Sequence, residues 1–532
     1  MPGKSQSREL QAEMDQVTSL LREGSSDAAR ARCDSLIWRF PKSIDIRLLA
    51  SSVEQQSGDF DRMLERAEEA LALAPAHSGA QFRVLECRLY CGQADRVVAT
   101  LAEMEASAGN DHALIARIAE FYTHCTRHAD ALRCLRRATE LQSYNPAYQF
   151  SLAAALIATG ELEEAEQTLD HVIALDPHDY DAYRNRSTLR TQGPDDNHID
   201  EMLALLQRGV RRPAGEAQLC YALSKEYEDL GDYEQAFRYL KRGAEKRRGL
   251  MSYRVASDVS AMQTIRQVFD DALFQSEPCG DSRPGPIFVM GLPRSGTTLV
   301  DRIIASLSQV ASLGEVNDFA YSLMRTAGGG GGKMSLIERS AKLDFKRLGQ
   351  RYLDSTRAYG AGTPYLIDKT PLNYLYIGLI RLALPNARIV HIRRNPMDSC
   401  YGMYRTLFRA GYPFSYDFDD LSRYYIAYRE LMDHWQTVVP DAFLDISYEA
   451  LVADQEPVTR NIIDYCGLDW EPACLEFHRN ASPVATASSA QVRQPLYRDA
   501  LKRWRRYETQ LQPLAERLEA AGIDIGQRGR TD

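Results

Sequence analysis

The first half of the chain repeats one pattern of small and apolar positions every 34 residues. A turn residue marks each unit, and small or apolar residues follow it five and nine positions later. The three sets are Gly24, Gly58, Gly92, Thr126 and Gly160; Ala29, Met63, Val97, Ala131 and Ala165; and Cys33, Ala67, Leu101, Leu135 and Leu169. Small residues that return to one helical face in every unit predict antiparallel helix pairs stacked into a solenoid. The period slips near residues 192–197, resumes at 230–236 and ends near 249.

The second half carries short, largely apolar runs instead, at residues 287–290, 365–367, 388–392 and 442–446. Such runs, separated by helical patterns, are typical of buried parallel strands in a sheet covered by helices. Residues 275–285 are rich in turn formers and separate the two halves. We therefore predict three segments: a repeat domain over residues 1–250, a helix and linker over 251–285, and an α/β domain over 286–520.

The loop after the first of these strands has the composition of an anion site. It reads Gly-Leu-Pro-Arg-Ser-Gly over residues 291–296, here called the anion loop, and two threonines then begin a helix. The first N–H groups of a helix have no partner within it and lie at the positive end of its dipole, so they bind phosphate or sulfate. The pattern predicts that a polyanion is bound by Arg294, Ser295, Gly296, Thr297 and Thr298.

The loop differs from the ATP- and GTP-binding P-loop at one position. Gly291 and Gly296 have the P-loop spacing, but Thr297 stands where that motif has its lysine. The loop therefore lacks the main positive charge that a kinase or ATPase uses. The string Pro-Arg-Ser-Gly-Thr-Thr instead resembles the 5′-phosphosulfate loop of sulfotransferases. These enzymes move a sulfuryl group from PAPS (3′-phosphoadenosine 5′-phosphosulfate) to a hydroxyl. The arginine at position 294 makes the loop most similar to that of the tyrosylprotein sulfotransferases.

Further motifs of that family follow in the same order, over about residues 286–504. Asp-Lys-Thr-Pro at 368–371 resembles the element whose lysine, here Lys369, binds the sulfuryl oxygens and the leaving phosphate. Arg-Asn-Pro-Met-Asp at 394–398 resembles the 3′-phosphate site, with Arg394 in the arginine position. Tyr-Glu at 448–449 resembles the family element whose tyrosine, here Tyr448, lies beside the adenine. The resemblance implies PAPS as co-substrate and no metal.

Two more matches concern the reacting groups. Gly-Glu at 314–315 lies where the protein-tyrosine branch has its catalytic glutamate, which makes Glu315 the candidate general base. The segment from Ser488 to Trp504 resembles the C-terminal segment that closes over PAPS, with Ser488 at the transition state and Arg503 where the family commonly has lysine. The resemblance thus implies a catalytic set of Glu315, Ser488, Arg294 and Lys369.

The chain departs from the family pattern at Gly402, where a serine usually contacts the 3′-phosphate. Ser399, Arg405 or a backbone N–H group must then take that place. A serine returned to position 402 is expected to strengthen binding of PAP, the desulfated product. His391 lies inside a predicted strand and is assigned to the core.

The 34-residue unit, with its central glycine and a terminal proline in several copies, resembles the tetratricopeptide repeat. The whole chain is similar to two-part proteins that join such repeats to a sulfotransferase domain, which implies that the repeats hold an acceptor protein or peptide. His124, Cys125 and His128 lie close together, but no second ligand pair stands at usable spacing, so no metal site is predicted. Five glycines at 328–332 predict a mobile loop, a candidate lid near the acceptor.

Composition narrows the partners and the location. Lys and Arg total 64 against 73 Asp and Glu, a net charge of −9, so no overall positive field favours nucleic acid. The ten cysteines include no Cys-x-x-Cys pair, which is typical of reduced thiols. The sequence has no signal-peptide pattern and no run of 18 apolar residues, so we expect a cytoplasmic protein with no membrane partner. The oligomeric state is left open.

Together these features predict an all-α tetratricopeptide solenoid followed by an α/β, P-loop-like, parallel-sheet sulfotransferase domain. The predicted function is PAPS-dependent sulfuryl transfer to an acceptor hydroxyl. Protein or peptide tyrosine is favoured by the arginine-type loop and the Gly-Glu pair. The alternatives are a sugar, lipid or small phenol as acceptor, a nucleotide kinase or ATPase, and a non-catalytic repeat scaffold.

Overall fold

The computed structural model describes residues 2–275, 279–357, 359, 362–409, 411–480, 482–484, 491–496 and 501–526. The first half is a solenoid of antiparallel helix pairs, as predicted. Its helices are α1 (Pro2–Arg22), α2 (Ser26–Arg39), α3 (Ile44–Ser57), α4 (Phe60–Leu73), α5 (Ser78–Tyr90), α6 (Ala94–Ser107), α7 (His112–His124), α8 (His128–Leu141), α9 (Pro146–Thr159), α10 (Leu162–Leu175), α11 (Tyr180–Thr188), α12 (Ile199–Arg208), α13 (Pro213–Asp229) and α14 (Tyr233–Gly249).

The periodic positions build this solenoid. Ala29, Met63, Val97 and Ala165 are completely buried between helices. The turn residue of the first five units ends the first helix of each pair in the left-handed conformation, with φ between 57° and 93°. Glycine adopts this conformation freely, whereas Thr126, at φ 57°, does so against its steric preference. The 34-residue spacing therefore reflects one backbone turn repeated along the chain.

The second half is a parallel α/β sheet domain. Its described strands pair in the order β2-β3-β1-β4-β5 and are β1 (Ile287–Met290), β2 (Val310–Ser312), β3 (Tyr365–Asp368), β4 (Arg388–Arg393) and β5 (Leu444–Ser447). Its helices are α15 (Val255–Val268), α16 (Thr297–Ile304), α17 (Asp318–Ala327), α18 (Lys333–Ser340), α19 (Phe345–Arg357), α20 (Ile377–Ala383), α21 (Pro396–Tyr404), α22 (Phe418–Val438), α23 (Tyr448–Ala453), α24 (Gln455–Cys466) and α25 (Glu508–Ala520). The four predicted runs form β1, β3, β4 and β5.

The strand order opens a crevice at the carboxyl ends of β1 and β4. The chain leaves β1 toward one edge of the sheet, where β2 lies, and leaves β4 toward the other edge, where β5 lies. Ligands of open α/β sheets bind where neighbouring strands diverge in this way. The anion loop follows β1 and the predicted 3′-phosphate motif follows β4, so both lie at this crevice.

The sheet domain is seated on the turns of the solenoid. Gly330 N–H donates to Ser57 O at 2.9 Å, beside the turn at Gly58. A side chain at Gly92 would place its Cβ 2.3 Å from Ser355 Cβ, and one at Gly160 would meet the Arg493 guanidinium at 2.5 Å. The glycine run at 328–332 was expected to form a lid near the acceptor; instead it lies against the turn after α3. Three of the periodic turns thus contact the sheet domain.

The last two repeat helices share a core with the sheet domain. Phe237 and Leu240 of α14 belong to the same buried cluster as Tyr404 and Tyr507. Tyr221 on α13 donates a hydrogen bond to Tyr404 O at 3.0 Å. Because these contacts are buried and mostly apolar, α13 and α14 contribute to the stability of the sheet domain.

No described helix combines the length and the apolar content that a membrane span requires.

Candidate active site

The anion loop is held in its shape by close approach of the backbone. Gly291 lies so near β4 that a Cβ at this position would meet Ile392 O at 2.4 Å, so only glycine fits. Arg294 has φ 68°, a left-handed conformation that is costly for a residue with a side chain. Strain of this kind is kept where the surrounding structure imposes it, often at functional sites.

The helix that follows the loop begins as predicted. Gly296 is the N-cap residue of α16, and Thr297 and Thr298 form its buried first turn. Ser295 is also buried, and its Oγ has no hydrogen-bond partner among the described residues. A buried hydroxyl without a partner beside a helix N-terminus is what a bound phosphate or sulfuryl oxygen would satisfy.

The end of β4 closes over the same loop. Arg394 Nη1 donates to Arg294 O at 3.2 Å, and its guanidinium lies 4.5 Å from the centre of the Tyr448 ring. The Tyr448 ring packs so closely on the loop that a Cβ at Gly296 would lie 2.6 Å from its Cδ2. The structure therefore brings together the loop, the predicted 3′-phosphate arginine and the predicted adenine neighbour.

Of the two side chains that the sequence analysis offered in place of the missing serine, Arg405 lines the crevice and Ser399 does not. Ser399 is buried, and its hydroxyl donates to Arg394 O at 3.4 Å. The crevice is lined instead by Asp398, Gly402 and Arg405 of the same segment. Ser399 therefore supports the Arg394 backbone in this structure.

Gly402 has a steric role that its sequence context did not reveal. A Cβ at this position would lie 3.2 Å from Arg294 Cβ, closer than most side chains tolerate. The missing side chain thus makes room for Arg294, the cation of the anion loop.

Lys369 and Glu315 form an ion pair beside the loop. Lys369 Nζ donates to Glu315 Oε1 at 2.6 Å; the lysine is fully buried, whereas 43% of the glutamate side chain is exposed. The pair is fixed by the backbone, because Lys369 N–H donates to Gly314 O at 2.9 Å and the Thr370 hydroxyl donates to Val316 O at 2.8 Å. The predicted general base and the predicted sulfuryl-binding lysine are thus direct neighbours.

Three buried aspartates were not among the predicted site residues: Asp301, whose carboxylate lies near this pair, and Asp318 and Asp368, which are close to Glu315 and Lys369 in the chain. Burial raises the pKa of Asp301, on α16, and the nearby Lys369 charge opposes that rise. Burial also raises the pKa of Asp318 to about 6 and that of Asp368 to about 7. Asp368 accepts hydrogen bonds from Tyr352 Oη, Thr370 N and Asn373 Nδ2. Asp368 could have been selected from the sequence, because it lies inside the Asp-Lys-Thr-Pro motif.

His391 is a core residue, as predicted. Its Nδ1 lies 2.7 Å from Asp445 Oδ1 and its Nε2 lies 2.7 Å from the Tyr428 hydroxyl, within a buried environment. Both ring nitrogens are therefore occupied, and the ring does not line the crevice.

The C-terminal segment reaches the site through Arg503. Ser488 lies outside the described residues. Asp398 carboxylate oxygens accept hydrogen bonds from Lys502 N at 2.8 Å and Trp504 N at 3.4 Å, which places the intervening Arg503 at the crevice. Arg503 stands near Arg405 and the repeat residue Glu228, at 4.0 Å between its Nε and Glu228 Oε1.

A cavity of about 1140 Å³ extends from the anion loop to the repeats, and we call it the central cleft. Arg294, Glu315 and Arg394 line it on the sheet side. The repeat side is lined by α7, α9 and α11, and between the two lies a wall of residues 407–409 and 412. This wall touches the repeats, since the Arg409 guanidinium lies 5.8 Å from the centre of the Phe150 ring.

Family models match both halves of the chain. Residues 286–472 match the sulfotransferase family, and residues 126–191 and 217–245 match tetratricopeptide repeats. A curated relative, described as an uncharacterized protein of Aquifex aeolicus (strain VF5), is 29% identical over 459 residues. That match covers 82% of this chain, and the chain spans 59% of the relative's length.

Solved structures are similar to each half separately. The sulfotransferase domain of the Synechococcus PCC 7002 olefin synthase is 18% identical with a TM-score of 0.30, and the match covers 47% of this chain and all of that one. A tetratricopeptide repeat protein from Parabacteroides merdae ATCC 43184 is 11% identical with a TM-score of 0.32, covering 46% and 93%.

The fold and the loop define an α/β anion-binding domain attached to a helical solenoid. The family models make the assignment specific: the C-terminal part of the chain is a sulfotransferase-family domain, and tetratricopeptide repeats precede it.

Proposed function

We propose that the protein is a PAPS-dependent sulfotransferase whose acceptor is a tyrosine of a protein or peptide. The observation that carries the proposal is the Lys369–Glu315 pair, which lies beside the anion loop at the edge of one cleft. The pair supplies a cation for the leaving group and a carboxylate for the acceptor proton.

The residues of the crevice fit the two ends of PAPS. The unpartnered Ser295 hydroxyl, the first turn of α16 and Arg294 suit the phosphosulfate end. Arg394 suits the 3′-phosphate, and Tyr448 beside it suits the purine. Ser399 stays a prediction as a nucleotide contact, and its burial favours a supporting role.

The proposed chemistry is an in-line transfer. The acceptor oxygen attacks the sulfur, and the bond from sulfur to the bridging oxygen breaks. The electron pair of that bond stays on the bridging oxygen, which leaves as part of PAP. Glu315 accepts the acceptor's proton, and Arg294 and Lys369 stabilise the charge that develops on the sulfuryl and bridging oxygens. As in phosphoryl transfer, positioning and charge stabilisation supply most of the rate.

The reach of the central cleft supports a macromolecular acceptor. Its volume of about 1140 Å³ includes the proposed nucleotide site, because Arg294, Arg394 and Tyr448 line it, and it continues from there to the repeats. Its far wall is made by repeat residues that include Tyr148 and Phe150. A small phenol, sugar or lipid would leave much of that wall unused, whereas a peptide segment would cover it.

The test is transfer from labelled PAPS to matched acceptors. The enzyme is incubated with a tyrosine peptide, the same peptide carrying phenylalanine, and a small phenol, a sugar and a lipid. Label that enters only the tyrosine peptide supports the proposal, and label in a small acceptor alone contradicts the acceptor class. Parallel assays with a chelator test the expectation that no metal is required, and competition by ATP against PAP tests the kinase alternative.

We also propose a cytoplasmic location. All ten cysteines are free thiols, and nine of them are buried. Persistent free thiols favour a reducing compartment.

A further inference from the structure

A carboxylate of the repeats reaches into the wall of the central cleft. Glu228, near the end of α13, accepts from Arg405 at 2.8 Å between Oε2 and Nη2 and at 3.4 Å between Oε1 and Nη1. Its Oε1 also lies 4.0 Å from Arg503 Nε. Only 9% of the glutamate side chain is exposed. One repeat residue therefore contacts two cations of the other domain.

Both cations belong to the part of the cleft proposed for the nucleotide. Arg405 follows α21 directly and lies one helical turn beyond Gly402, where the family's phosphate-binding serine is missing. Arg503 lies between the two backbone groups that Asp398 holds, and its Nε is buried without a hydrogen-bond partner among the described residues. At this point the cleft combines these two arginines with the carboxylates of Asp398 and of the repeat residue Glu228.

We infer that Glu228 is a positioning residue that aims Arg405 and Arg503 at the 3′-phosphate of the nucleotide. The inference rests on the proposed function, because it takes PAP and PAPS as the ligands of this wall. It makes the repeats a part of the nucleotide site in addition to a wall for the acceptor.

The geometry of the Arg405 contact explains how a carboxylate can orient an arginine toward a phosphate. A guanidinium carries five N–H donors in a rigid plane, and Glu228 engages only its two terminal nitrogens. The remaining donors keep a fixed direction and stay available for a phosphate. Without Glu228, two neighbouring arginines would repel each other and lose that direction, so more ordering would have to accompany nucleotide binding.

The test compares Glu228→Gln with Glu216→Gln. Glu216 lies on the same helix and also pairs with two cations, Arg242 at 2.7 Å and Lys246 at 3.1 Å, but both of these belong to the repeats. Dissociation constants for PAP and for 5′-AMP are measured by calorimetry on the full-length chain. The two ligands differ only in the 3′-phosphate, so their ratio reports on that contact and is insensitive to a general loss of stability.

We expect Glu228→Gln to weaken PAP binding by at least about tenfold and to leave 5′-AMP binding within about twofold. Glu216→Gln should change neither. If Glu228→Gln does not fold, Glu228→Asp is used instead, because it keeps the charge but shortens the side chain by one methylene. The preference for PAP over 5′-AMP should then fall by a smaller factor. A folded variant that keeps the wild-type ratio overturns the inference. A wild-type protein that does not prefer PAP over 5′-AMP instead overturns the proposed function.

Discussion

Glu315 Oε1 lies 2.6 Å from the buried Lys369 Nζ, so the predicted base is the counterion of the predicted sulfuryl-binding cation. An acceptor hydroxyl must enter between groups that already contact each other. The pair also explains why a buried lysine is tolerated, because an unpaired buried charge would be strongly destabilising.

Replacing Glu315 by Gln is expected to lower transfer by at least about a hundredfold, because the acceptor proton loses its carboxylate. PAP binding should stay within a few-fold, since the amide oxygen can still accept from Lys369. Initial rates and PAP calorimetry are the measurements, and Glu338→Gln on α18 is the control because Glu338 is exposed. A near-wild-type rate would contradict the assignment of Glu315 as the base.

A serine at position 402 is now expected to weaken PAP binding, the reverse of the sequence-based expectation. Its Cβ would lie 3.2 Å from Arg294 Cβ, and Arg294 already has a left-handed backbone with little freedom to move. Gly402→Ala separates the two effects, because it adds the Cβ without the hydroxyl. Equal loss of PAP affinity in both variants indicates crowding. Tighter binding by the serine variant would show that the hydroxyl reaches the phosphate.

Asp368→Asn should flatten the dependence of stability on pH. Burial raises the pKa of Asp368 to about 7, so the folded protein binds this proton more tightly than the unfolded chain. The stabilisation is therefore fully present below about pH 4, the ordinary range of an aspartate, and is lost as the pH rises through about 7. The slope in that window is at most about 1.4 kcal/mol per pH unit for one group.

The measurement for Asp368 is the free energy of unfolding between pH 5 and 8. An asparagine can still accept from Thr370 N and Asn373 Nδ2, so the hydrogen bonds at this site are largely kept. Asp469→Asn, at an exposed position, is the control. An unchanged slope in Asp368→Asn would show that other groups set the pH dependence.

Gly92→Ala should destabilise the protein more than Gly24→Ala. Both glycines are left-handed, at φ 68° and 77°, so both substitutions carry the same backbone cost of about 1–2 kcal/mol. Only Gly92 faces the sheet domain, where the new Cβ would lie 2.3 Å from Ser355 Cβ; nothing lies within 4 Å of the Cβ at Gly24. We expect the overpacking to add about 1–3 kcal/mol. Equal melting temperatures for the two variants would mean that the contact yields without cost.

The sequence was sufficient to predict the elements that depend on local interactions. The 34-residue period follows from helix packing and one left-handed turn, and β1 follows from four consecutive apolar residues. Strand β2 was missed because three residues, of which only Val310 is buried, give no periodic signal. It forms a strand because it pairs with β3, and the local sequence does not indicate that long-range pairing.

The site divides in the same way. Arg294, Lys369, Arg394 and Glu315 could be selected from the sequence because each follows a strand or turn in a recognisable string. The contacts of Gly402 with Arg294 and of Glu228 with Arg405 were not predictable, since each joins residues more than 100 positions apart. Proximity between residues so far apart in the chain leaves no local pattern in the sequence.

The contacts at Ser57, Gly92 and Gly160 also fix how many repeat units can lie between them. They join the solenoid to the sheet domain at Gly330, Ser355 and Arg493, with a set number of 34-residue units between them. An extra unit inserted between Gly92 and Gly160 would lengthen the solenoid without lengthening the sheet domain, so one contact would have to break. A unit added before α1 would leave all three in place. Duplication of a repeat unit is therefore tolerated before α1 and is opposed between the turns that contact the sheet domain.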